Sequence, residues 1–110
     1  MCELAIQYIR KNVHKGYFEY SQHALERMLE REIEDYQVVN CILKGVIIEV
    51  QKFDNQDIKV LFQEATEKTP EMYVVIAASY PYPVVATVCR FEEEAWECID
   101  GIMKRRQNHE

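Results

Sequence analysis

What the chain has little of narrows the field first. It has no apolar run near the roughly 20 residues a membrane-crossing helix needs. Its N-terminus carries acids and amides where a signal peptide would have a basic and then an apolar run, which predicts a cytoplasmic protein. Its four cysteines (Cys2, Cys41, Cys89 and Cys98) form no C-x-x-C pair, and no Cys/His set has zinc-finger spacing. They read as free, buried thiols, with no structural metal expected. Positive charge is scarce: 13 Lys and Arg against 19 Asp and Glu give a net charge of -6. Broad, non-specific nucleic-acid binding needs a positive field and is excluded on that balance, while a local basic site or a partner with a basic face is not. Repeats, linkers and low-complexity segments are absent, as is any nucleophile motif of the Ser/His/Asp or Cys/His kind.

What remains is an ordinary globular composition, 48% hydrophobic and 29% charged. At 110 residues it is read as one domain, 1–110, long enough for a real core. The stretch that organises it runs from Tyr20 to Arg31. Ser21 is a good N-cap, because its hydroxyl can accept from an orphan backbone N–H of the first turn. Ala24, Leu25, Met28 and Leu29 then make an apolar stripe at helical spacing. Beside the stripe lie His23, Arg27 and Arg31, each four residues from the next, so three basic or potentially basic groups stack on one flank.

Two readings of that row stand. Nearby acids such as Glu30, Glu34 and Asp35 can neutralise it, and the row is then a solvated ion-pair face. Alternatively it holds something anionic, a task suited to the forked, permanently charged guanidinium.

On either side the pattern continues. Glu3 to His14 is read as a helix ended by Gly16, and Tyr17 to Tyr20 as a short extended lead-in. Ile33, Tyr36, Val39, Ile42 and Leu43 mark a second short helix, with Glu34-Asp35 at its start and Gly45 at its end; the two helices form a hairpin or one kinked helix. Four strands follow, at Val46–Val50, from Ile58 through Gln63, Met72–Ala78 and Val84–Cys89, separated by polar or Pro-containing turns, which predicts an antiparallel meander. The tail, about 92–106, is expected to be an amphipathic helix: Ala95, Trp96, Ile99, Ile102 and Met103 fall on one face, with acids at its start and bases at its end. The fold class is therefore α+β, N-terminal helices packed on a four-stranded antiparallel β-meander with a C-terminal helix.

Ser21, His23, Ala24, Arg27, Met28 and Arg31, followed by Ile33, Val38, Gly45, Ile47, Ile48 and Glu49, resemble the signature of a bacterial family of domains of unknown function, family 4258, over a core of about 20–90. That family is similar in layout to toxin ribonucleases of the RelE and MqsR kind, with a barnase-like arrangement of helices on a sheet. The resemblance implies a metal-independent endoribonuclease of mRNA-interferase type, without cofactor, encoded beside a zinc-finger, helix-turn-helix antitoxin. It implies His23 as acid or base, Arg27 and Arg31 as phosphate clamps, Thr87 as an orienting group from the last strand, and Arg90 as a further substrate contact where the family tends to an aromatic residue. The alternative is a non-catalytic module of the same fold that binds a protein or an anionic ligand through the His23–Arg27–Arg31 face. Each residue also has a plainer use: capping or packing for His23, carboxylate pairing for Arg27 and Arg31, an ordinary strand position for Thr87.

Overall fold

In the computed structural model, residues 3–107 are described; Cys2 lies outside them. Three helices, α1 (Glu3–His14), α2 (Gln22–Arg31) and α3 (Asp35–Lys44), accompany seven strands: β1 (Glu19–Tyr20), β2 (Val46–Gln51), β3 (Lys59–Gln63), β4 (Met72–Ala77), β5 (Val84–Arg90), β6 (Trp96–Ile99) and β7 (Ile102–Arg105). The class is α+β. Strands β1 to β5 form one five-stranded sheet in the order β1-β5-β4-β3-β2, and β6 and β7 form a separate two-stranded sheet.

The expected sheet of four antiparallel strands is corrected by β1. Strands β2 to β5 pair antiparallel, each with the next, but Glu19 and Tyr20 pair parallel with Val84 and Val85, so the sheet is mixed. A two-residue strand shows no alternation, and its partner lies far away in sequence, so the lead-in could be read as extended but not as paired.

The larger correction is the tail. Within 92–106 the chain makes a turn at 93–95 and then a β-hairpin over 96–105, not an amphipathic helix. Asp100 and Gly101 both adopt left-handed backbone conformations, with φ of 54° and 80°. An Asp-Gly pair with both φ positive makes the two-residue turn whose twist matches that of hairpin strands. Trp96 and Met103 are then buried on the inward side by a period of two, which outweighs the helical spacing of the same apolar residues. Two of the bases expected to complement a helix dipole make ion pairs instead: the Arg105 guanidinium grips Glu49 at 2.8 and 3.1 Å, and Arg106 approaches Glu97 at 3.5 Å.

The helices themselves start and stop for local reasons. Ser21 caps α2 by accepting from the Ala24 N–H at 3.0 Å. Glu32, in a left-handed conformation, ends it, so α2 and α3 are separate helices. Glu34 and Gln37 form a reciprocal capping box on α3. Gly45 is required by proximity: a Cβ there would lie 2.1 Å from the Gln63 carbonyl oxygen and 2.2 Å from that of Cys41. Arg10 ties α1 to this junction by donating to the Ile42 and Gly45 carbonyls, both at 2.9 Å, with its guanidinium over the Phe62 ring.

Two cores result. The helix side of the sheet buries Ile9, Val13, Met28, Val38, Ile42, Phe62, Val74, Ile76, Val85 and Val88 among others. The hairpin side buries Leu61, Val75, Trp96 and Met103. Among the cysteines, Cys41 is buried as expected, and burial, helped by Glu64, pushes its thiol up to about 12 while it donates to the Phe62 carbonyl. Cys89 is half-buried and Cys98 exposed, both free. No helix among the described residues is long and apolar enough to cross a membrane.

Candidate functional site along the edge of β5

Only the first two residues of β5 are paired by β1. Beyond them the edge of β5 is met by α2, which supplies polar groups instead of a strand. The Ser21 N–H donates to Val85 O at 2.9 Å, the Ser21 hydroxyl to Ala86 O at 2.9 Å, and Arg31 to Val88 O at 2.6 Å. Edge carbonyls are thereby satisfied and the strand is shielded from pairing with another chain. Ser21 is thus both cap and clip, a double role that its N-cap signature does not reveal.

The row His23, Arg27, Arg31 is not three equivalent groups. Four residues turn a helix by about 400°, so each step drifts about 40° around the axis. Ala24 and Met28 face the core, and the drift carries the row toward it. His23 is exposed, Arg27 half-buried and Arg31 seated on the sheet edge. Arg27 pairs with Glu30 at 2.7 Å, as the ion-pair reading anticipates. His23 has no side-chain hydrogen bond to the described residues.

Arg31 leads to the other expected residues. Arg90, exposed, donates to the Arg31 carbonyl at 3.0 Å. Thr87 stands in register with Val75, which belongs to the hairpin-side core, so its side chain lies on that face; its hydroxyl is 3.8 Å from the Cys89 sulfur. The structure therefore brings Arg31 and Arg90 together at the end of β5, leaves Thr87 on the hairpin-side face of the same strand, and puts Arg27 one turn back on α2, with no hydrogen bond linking His23 to any of them.

Two members of this cluster, Tyr73 and Cys89, have no signal in the linear sequence. They are cross-strand partners. Burial and the hydrogen bond with Cys89 push the Tyr73 hydroxyl well above its ordinary range, while the guanidiniums of Arg105 and Arg31 pull the other way. The result is a polar strip with a phenol, a hydroxyl and a thiol flanked by two arginines. It can donate hydrogen bonds to an anion and hold it against the edge of the sheet. Among the described residues no group of three or more His, Cys, Asp or Glu side chains is placed to hold a metal ion.

A family model described as Domain of unknown function (DUF4258) matches residues 20–90, more than half of the chain. The chain belongs to the DUF4258 family. No curated protein and no solved structure gives a significant match. The DUF4258 span contains α2, α3 and β2 to β5, hence every residue of the β5-edge strip named above except Arg105. Helix α1 and the β6–β7 hairpin fall outside it.

Proposed function

We propose that this DUF4258 protein is a toxin-type endoribonuclease that cleaves RNA without a metal ion and acts in the cytoplasm, under the control of a zinc-finger, helix-turn-helix antitoxin. The observation that carries the reading is the seat of Arg31 on the edge of β5, near enough to Tyr73 for its charge to act on that hydroxyl, with Arg27 and His23 following on the same flank of α2. In this reading a ribose 2′-oxygen attacks the adjacent phosphorus. The new O–P bond forms as the bond to the 5′-oxygen breaks, the 2′-hydroxyl proton passes to a base, and the departing 5′-oxygen receives one. Arg27, Arg31 and Arg90 stabilise the charge that builds on the phosphoryl oxygens. His23 moves a proton, which an exposed imidazole at the start of α2 is free to do. Thr87 and Tyr73 orient the phosphate. The RelE-like arrangement of helices on a sheet belongs to the same reading.

Growth and total RNA of a bacterial host expressing the wild type, His23→Ala and Arg27→Ala test it. Arrest with RNA loss in the wild type alone supports the assignment. Normal growth and intact RNA in all three, with each protein soluble and folded by circular dichroism, removes it.

A second reading has its own support. Arg27 already pairs with Glu30, Arg31 with a backbone carbonyl, and His23 has no orienting partner among the described residues. A non-catalytic module that binds a protein or an anion through this face fits those facts. It expects no cleavage under any condition, with Arg27→Ala weakening binding.

A further inference from the structure

At the end of the sheet where the hairpin leaves it, the segment before β4, the end of β5 and the hairpin enclose an open cleft of about 540 Å³. That is within the range of pockets that bind small ligands or side chains, roughly 300–1,000 Å³. Its floor is apolar: Trp96 and Met103, each 5% exposed, with Phe91 and the buried Pro70. Phe91 and Trp96 pack edge to face, ring centroids 5.0 Å apart.

The rim is charged, and unevenly so. Its two cations are already engaged. Arg106 donates to the Glu93 carbonyl at 2.5 Å and approaches Glu97 at 3.5 Å, and Arg90 donates to the Arg31 carbonyl. The exposed carboxylates of Glu71, Glu92 and Glu93 have no hydrogen bond or ion pair with other described residues. An apolar floor under three unpartnered carboxylates repels phosphate and attracts cations.

We propose that this cleft is a docking site for a peptide segment of a partner protein in which Lys or Arg residues flank a large apolar side chain. The apolar side chain fills the floor against Trp96, the kind of buried aromatic that anchors interfaces. The flanking cations meet the rim carboxylates and set the rate and salt dependence of association. Most of the lining (residues 92–106) lies outside the family match, so the site is a property of this chain's hairpin, and it stands whether or not RNA is cleaved. Arg90 links the cleft to the β5-edge strip, so an occupant sits beside that strip.

The chain has a single tryptophan, and it lies on the cleft floor. Its fluorescence therefore reports occupancy directly. The full chain is titrated with a capped decapeptide of alternating Arg and Leu, with the same peptide carrying Glu for Arg, and with one carrying Ser for Leu. A saturable change in Trp96 emission with the Arg-Leu peptide alone is expected, weakening with salt. The triple variant Glu71→Gln/Glu92→Gln/Glu93→Gln binds about tenfold more weakly. A control that removes the same charge elsewhere, Glu3→Gln/Asp54→Asn/Glu67→Gln, binds as the wild type does. Absence of a saturable change, equal binding of the Glu or Ser peptide, or equal weakening in the control variant overturns the proposal. RNA integrity in the growth assay is unaffected by any of these outcomes, so this proposal and the ribonuclease assignment fail separately.

Discussion

The two faces of the sheet are held by different physics. The helix side is a broad apolar core, to which Arg10 on the Phe62 ring and the Cys41 thiol on the Phe62 carbonyl add single directional contacts. The hairpin side is small, and directional bonds fix it. The buried Gln63 amide donates to Gly101 O and accepts from the Met103 N–H, both at 2.8 Å. Glu49 holds Arg105 through both oxygens, and that guanidinium stacks over Trp96 at 4.5 Å. The apolar side supplies most of the stability, since burial scales with area. The clipped side supplies position. The strip and the cleft both lie where the clipped hairpin meets the sheet, so their shapes depend on the weaker of the two faces.

That comparison can be broken from its strong side first. Phe62→Ala empties a fully buried position under the helices and is expected to cost about 3–5 kcal/mol, seen as a lower urea midpoint for the whole chain. If helix content survives while only Trp96 emission changes, the two faces have been ranked the wrong way round. On the clipped side, Gln63→Leu leaves the Met103 N–H and Gly101 O without their partner and is expected to cost about 1–3 kcal/mol. Its signature is a change in Trp96 emission that precedes loss of far-ultraviolet ellipticity. Coincident transitions would mean that the hairpin is not separable.

Smaller effects sharpen the contrast. Gly101→Val forces a branched side chain into a left-handed conformation, and a loss of about 1–2 kcal/mol is expected at the hairpin. Burial and the Arg105 bond oppose each other at Glu49, and the bond prevails, holding the carboxyl below its usual range. Its contribution is complete above the ordinary carboxylate value of about 4.3 and is lost as the pH falls through the lower folded value. The pair is part-exposed, so the effect stays within about 1 kcal/mol. An acid titration of Trp96 emission should show it, and Glu49→Gln should flatten that titration. His23→Ala is expected to change stability by no more than about 0.5 kcal/mol, because the side chain is exposed. All of its effect should fall on growth arrest.

The same division explains how much could be read from the chain beforehand. Helix boundaries rest on local chemistry such as Ser21, Gly16 and Gly45, and α1 and α2 lie where that chemistry puts them. Strands β2, β4 and β5 announce themselves by β-branching, and β3 by a weak alternation of apolar residues. In the tail, apolar residues at helical spacing mask a hairpin that the Asp100-Gly101 pair specifies, and turn chemistry wins. Within the candidate site, His23, Arg27 and Arg31 stand out by spacing, but the seat of Arg31 on Val88 O and the pairing of Tyr73 with Cys89 are set by contacts between distant segments, which no local pattern encodes.

The clip from Ser21 to Ala86 spans 65 residues of sequence, and that separation has a meaning in time. A ribosome adding roughly 5–20 residues per second takes about 3–13 seconds to travel from one partner to the other. For that interval the helix bearing His23, Arg27 and Arg31 has been made but has no strand to rest on. The edge strip is therefore among the last parts of the molecule to assemble, and the nascent chain passes through a period in which the proposed catalytic row exists without its sheet.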